Sequence, residues 1–345
     1  MEIIEQTVLD KWKLRTLIND QNMRVSFLDY GGAITEIIVP DKHGYMDNVV
    51  LHYNSYEEYE SNPFYMGALI GRVASRIANA SFSINGTPYQ VTANEGHHHL
   101  HGGINGFSHV RWHVSTEQTE NDIRAILTHT SPDGDNGYPG NVAVTVTYIL
   151  TNDNEFIIDY AAITDKTTPI TLTNHSYFNL RGSKKQTIKQ HYAKIASSTC
   201  LEVNKALIPT GKQFATTHTP FDFQLGRQFN DGIYAKLEQN IIVGKGYDHY
   251  FCFDKGKDEQ VCLYDKETGR TLTVKTTQPG MVLYTGNYLH EKNEHTPTTF
   301  LRYQGVCIET QGTPASLEHK HLPSIILAPG EAYQQRTAFC FGLGG

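Results

Sequence analysis

Apolar and polar residues alternate with a period of two through much of the chain, the pattern of extended strands whose successive side chains point to opposite faces. Phe82-Ser83-Ile84 and Tyr89-Gln90-Val91 alternate on either side of Asn85-Gly86, the dipeptide favoured in a two-residue hairpin turn. A second hairpin is predicted from residues 142–150, through the turn-forming Thr151-Asn152-Asp153-Asn154, into 156–160. Further strands are expected over 34–39, 49–53, 170–173, 271–276, 281–284 and 306–310. Helical periodicity is scarce: 55–61 supports one or two turns and 227–237 another short piece. The class read from this pattern is all-β, a large antiparallel β-sandwich with few short helices.

Composition narrows the picture. With 39% hydrophobic and 19% charged residues the chain can bury a sizeable core. Its 29 Gly and 13 Pro are spread evenly and no linker or low-complexity tract appears, so one domain over 1–345 is expected. The net charge of -7, without a Lys/Arg block, excludes nucleic acid and anionic membrane surfaces as expected partners and suits a small molecule. The oligomeric expectation is monomer or homodimer. No apolar run approaches the ~18 residues of a membrane span. Glu2 and Glu5 stand where a secretion signal carries positive charge, and five cysteines, odd in number and never spaced as a CxxC pair, read as reduced thiols. Cytoplasmic residence follows, and the Asn-x-Ser/Thr triplets at Asn79, Asn85 and Asn174 are then chance.

No phosphate-binding glycine loop, dinucleotide fingerprint, nucleophile elbow or zincin motif is present, so chemistry has to come from dispersed residues. The densest of the 17 histidines are His97, His98, His99 and His101. They invite a metal, but no carboxylate follows at a matching interval, and none is assigned. Gly102-Gly103 instead lets backbone approach a ligand beside His101. In 169–180, alternation sets Ile170 and Leu172 on one face and Thr171, Thr173 and His175 on the other, so His175 ends a polar face as either a functional or a hydrogen-bonded structural histidine. In 305–314 the same rule sends Val306 and Ile308 to the core and Cys307, Glu309 and Gln311 to the opposite side; a carboxylate in such a strand is costly unless paired or used. Asp248 is a lone acid among aromatics, a ligand group or a turn cap. Of Arg72 and Arg76, one can reach a hydroxyl-rich ligand and the other a structural carboxylate.

In order and spacing, residues 71–78 (GRVASRIA), 100–103 (LHGG), 173–180 (TNHSYFNL), 247–249 (YDH), 284–287 (YTGN) and 307–311 (CIETQ) together resemble the aldose 1-epimerase family, over roughly 30–340. The resemblance implies a β-supersandwich and interconversion of the anomers of free hexoses such as galactose and glucose, without cofactor. It makes His175 the general acid, Glu309 the general base and His101 the second histidine at the ring oxygen. Arg76, Asp248, Asn174 and Gln311 become sugar-binding residues. On this reading Glu309 is ionised and His175 titrates near neutrality, so activity falls at both pH extremes. The chain departs from the family at Ser75, where Asn is usual, at Val282, where many members carry Gln, and over 313–316; the first two bear on sugar preference. Three alternatives remain: a sugar phosphate or disaccharide as substrate, with Arg72, Arg76, Lys184, Lys185 and Lys189 the candidate phosphate partners; a carbohydrate-binding protein without turnover; and a metal-dependent sugar enzyme.

Overall fold

The computed structural model describes residues 1–182, 186–291, 293 and 295–344. Five strands from Glu2–Val8 to Met46–Asn48 pair in chain order as one antiparallel sheet. A nine-stranded sheet runs His113–Gln118, Asp122–Ser131, Val142–Thr151, Glu155–Thr164, Tyr333–Leu343, Arg270–Thr276, Val261–Tyr264, Tyr192–Ile195 and Arg227–Gln228. A six-stranded sheet runs Tyr177–Phe178, Val306–Thr310, Gly280–Tyr284, Asp248–Cys252, Thr199–Val203 and Pro209–Ala215. Neighbouring strands in these sheets are antiparallel, as alternation and short turns require. The helices are short: Asn230–Ile233, Glu238–Ile242 and a few 3-10 turns, the first inside the expected 227–237 and the second beyond it. Among the described residues no helix is long and apolar enough to cross a membrane.

Alternation explains the layering. Ile123, Ala125 and Leu127 of one large-sheet strand, Val142, Val144 and Val146 of the next, and Phe156 and Ile158 of the third fall in one buried cluster. The same cluster takes Phe251, Met281, Leu283, Val306 and Ile308 from the six-stranded sheet and Leu17, Val25 and Phe27 from the N-terminal sheet. The two larger sheets therefore bury facing apolar sides against each other, the arrangement of a sandwich. The opposite face of the smaller sheet is left to carry chemistry.

Both predicted hairpins form. Ser81–Ile84 pairs with Thr87–Gln90 around Asn85 (φ 49°) and Gly86 (φ 81°), the two positive φ values of a type I′ turn. Val142–Thr151 pairs with Glu155–Thr164 in full register. Two expected strands do not form as such. Val49, Val50, Leu51 and Tyr53 are buried, but the segment makes only a bridge at Val50–Phe178, flanked by Leu51 N–H to Tyr177 O and Asn179 N–H to Val49 O. Residues 170–173 change partner every step or two: Ile170 bonds Ile325, Thr171 bonds Arg72, and only Thr173–Asn174 ladders with Leu69–Ile70. Burial supplied the apolar pattern in both, while the backbone partners came from loops the pattern does not encode.

Candidate active site

Three adjacent strands build the floor of a cleft on the free face of the six-stranded sheet. Asp248 pairs with Tyr284, and Val282 with Glu309, so Asp248, Val282, Tyr284 and Glu309 project to one side while Phe251, Met281, Leu283, Val306 and Ile308 enter the core. The alternation expected over 306–310 therefore holds, except that Cys307 is also buried, in a second apolar cluster. His175 enters from the segment before Tyr177–Phe178, tied by its N–H to Ala68 O and by its carbonyl to Gly67 N–H. Its Nε2 lies 3.5 Å from Glu309 Oε1, and both side chains are buried. Its Nδ1 is 3.6 Å from Cys307 Sγ. Glu309 Oε2 is buried without a hydrogen-bond partner, and the residue lines the cleft.

Burial pushes the two groups in opposite directions. It lowers His175 to about 4 and raises Glu309 well above the ordinary carboxyl range, with Asp248 adding to the rise and Arg76 opposing it. Asp248 is itself raised by burial, against the pull of Arg76. The resting pair therefore favours neutral imidazole and neutral carboxyl, in place of the ionised Glu309 and near-neutral His175 titration expected from the sequence. The physical reason is that desolvation penalises the charged form of each.

Arg76 and His101 come from the opposite wall. Arg76–Ile77 ladders with His99–Leu100, placing Arg76 opposite Leu100 and delivering His101 at the end of the pair. Arg76 makes a bidentate bond to Glu95, Nε to Oε2 at 2.6 Å and Nη2 to Oε1 at 2.8 Å, and its Nη1 lies 3.7 Å from Asp248 Oδ2. Burial disfavours the Arg76 charge, but Asp248 and Glu95 more than offset it. His101 is buried and pushed well below its ordinary value by that burial, then by His175 and Arg76. Its ring stands edge-on to His175 at 5.2 Å between centroids, and Tyr65 packs against it at 4.8 Å. Phe64, Tyr65, Tyr177, Tyr284 and Tyr288 give the cleft aromatic walls. Such rings suit the C–H faces of a sugar.

His101, His175, Glu309, Asp248 and Arg76 thus converge, together with Ser75 and Val282, the two departures from the family pattern. Asn174 and Gln311 do not line the cleft. Asn174 donates to Gly67 O and accepts from the Ser176 N–H and hydroxyl; Gln311 donates to Ser75 Oγ and Gly312 O. Asn174 holds backbone that carries functional side chains, and Gln311 holds Ser75 and Gly312 through its amide nitrogen while its Oε1 is buried without a partner. Arg72 is the structural arginine, but it takes the carbonyls of Ser131, Pro132, Pro139 and Gly140 where a carboxylate was expected; the carboxylate, Glu95, belongs to Arg76. In the histidine run, His97 is exposed, His98 accepts from Asn79 N–H, and His99 is bonded to Thr92 O and near Tyr138 Oη. Only His101 of that run reaches the cleft. Sequence reasoning missed Glu95 and the aromatic walls, since neither carries a local signal. Lys189 sits over the rings of Tyr234 and Tyr303, and Lys184 and Lys185 lie outside the described residues.

The aldose 1-epimerase family model matches residues 13–340. Galactose mutarotase of Sus scrofa is 37% identical over 329 residues, covering 94% of this chain and 93% of that protein. Aldose 1-epimerase of Haemophilus influenzae is 35% identical over 348 residues, covering 98% and 100%. The crystal structure of galactose 1-epimerase from Lactobacillus acidophilus superposes with a TM-score of 0.88 at 27% identity, covering 100% of this chain and 99% of that one. Match, coverage and identity agree with the site's geometry, and the chain belongs to the aldose 1-epimerase family.

Proposed function

We propose that the protein interconverts the α and β anomers of a free hexose, such as galactose or glucose, by acid–base ring opening and reclosure. The observation that carries this reading is the buried His175–Glu309 pair, 3.5 Å apart, lining an aromatic-walled cleft. Glu309 takes the proton of the anomeric hydroxyl while His175 Nε2–H delivers one to the ring oxygen, and the bond from C1 to that oxygen breaks. After rotation about C1–C2 the freed hydroxyl attacks the other face of the aldehyde. His175 recovers its proton and Glu309 returns its own to the new anomeric oxygen, so nothing is consumed. The form with the proton on Glu309 and the form with it on His175 hold the same number of protons, so the resting neutral pair needs only an internal transfer to start.

His101 is assigned to the ring oxygen and Arg76 and Asp248 to sugar hydroxyls. A phosphorylated substrate is disfavoured because, among the described residues, Arg76 is the one cation lining the cleft, it is already committed to Glu95, and Asp248 and Glu309 stand beside it. A pure binder has no use for a matched acid and base. Five free cysteines support a reducing, cytoplasmic setting. Polarimetry on freshly dissolved α-D-galactose and α-D-glucose tests the reading: acceleration that survives EDTA and is lost in Glu309→Gln is expected. A protein that accelerates neither sugar refutes it.

A further inference from the structure

We infer that Ser75 is a positioning residue whose backbone N–H holds His101 in the Nε2–H form, so that the cleft receives a hydrogen-bond donor from this imidazole and not a metal-binding lone pair. The inference rests on the reading of His101 as a sugar-facing group. Ser75 N–H donates to His101 Nδ1 at 3.2 Å, and His101 N–H donates back to the Ser75 carbonyl at 3.2 Å. A neutral imidazole carries one N–H, and the nitrogen facing a donor has to be the acceptor, which leaves the proton on Nε2.

The clamp is built into its surroundings. Ser75 (φ 66°) and His101 (φ 52°) are both left-handed, a conformation that costs a residue with a side chain about 1 kcal/mol and persists where neighbours impose it. Gln311 Nε2 donates to Ser75 Oγ at 2.9 Å. Gln311 is fully buried and fixed in turn, its N–H on Gly280 O and its carbonyl accepting from Tyr250 Oη, both at 3.0 Å. On the far side of His101, a Cβ on Gly102 would lie 1.8 Å from Gly71 O, so the backbone there packs directly against Gly71.

Ligand atoms of His101, His175 and Glu309 lie within 4.8 Å of one another, a set that on spacing resembles two imidazoles and a carboxylate around a divalent cation. A ligating imidazole gives its remote N–H to an acceptor. The remote nitrogen of His101 faces an N–H instead, so ligation through Nε2 would set two donors against each other.

Long-range 1H–15N correlation spectra of the 15N-labelled, sugar-free protein test this, with His101 identified by its loss in His101→Gln. Protonated Nε2, bare Nδ1 and His101 signals unmoved by added Zn2+ are expected. A protonated Nδ1, or stoichiometric Zn2+ binding that His101→Gln abolishes, overturns the inference. Gln311→Met should release Ser75, bring in the second tautomer and lower kcat about tenfold with KM changed less than about threefold; unchanged tautomer and kcat remove Gln311 from the clamp. The spectra need no turnover. A protein inactive in polarimetry with His101 still protonated at Nε2 overturns the mutarotase reading and leaves the role of Ser75 standing.

Discussion

Glu309 and His175 titrate as a unit, because they sit 3.5 Å apart in a site that penalises charge on either. As pH falls through about 4 the pair gains a second proton and loses its base; as pH rises through the elevated Glu309 value it loses its last proton and with it the acid. A kcat/KM profile flat across neutrality and falling on both sides is therefore expected, both limbs belonging to the pair. Glu309→Gln should keep sugar binding, read by calorimetry, and lower turnover about 10²–10⁴-fold. Asp248→Asn should weaken binding as well. It also removes a like charge that helps raise Glu309, so the alkaline limb should move to lower pH. Equal, small effects of both substitutions would undo the assignment.

At the scale of elements, turn chemistry is legible and partner exchange is not. Asn85-Gly86 specifies its hairpin because the two residues that tolerate positive φ sit between alternating strands, whereas nothing in 170–174 records that successive residues bond to two different segments, around 325 and over 69–72. Two glycine substitutions separate local from tertiary constraint. A Cβ on Gly86 (φ 81°) meets nothing within 4 Å, so Gly86→Ala should cost only the left-handed penalty, about 1 kcal/mol. At Gly102 (φ 87°) it would lie 1.8 Å from Gly71 O, and about 3 kcal/mol is expected, with activity lost as His101 shifts. Denaturant unfolding of both variants checks the ranking.

Across the whole molecule, burial of imidazoles governs acid stability. His99, His175 and His191 are lowered to about 4, His249 to about 3 and His101 well below its ordinary value, each with burial as the first cause. Unfolding releases these five to titrate near 6.5, so between pH 6.5 and about 4.5 the unfolded chain binds more protons and stability falls as pH falls. Glu309 and Asp248, raised in the fold, work in the opposite direction. Each histidine so released lowers stability by up to about 1.4 kcal/mol per pH unit in this window. Thermal denaturation between pH 7 and 5 should show this slope; a midpoint independent of pH would contradict the buried neutral histidines.

Alternation, hairpin dipeptides and the scarcity of helical period determined an all-β sandwich, because strand geometry and turn conformation are set by neighbours in the chain. Six short motifs likewise determined which residues to suspect. Only the tertiary structure decided which of them meet. The strand order that sets Tyr177–Phe178, Val306–Thr310, Gly280–Tyr284 and Asp248–Cys252 side by side brings Asp248 and Glu309 onto one face with His175. It also turned Asn174 and Gln311 into supports, gave Arg76 its partner Glu95, and favoured the neutral form of both members of the acid–base pair. Those outcomes depend on distance and burial between residues far apart in the chain, and a sequence pattern carries neither.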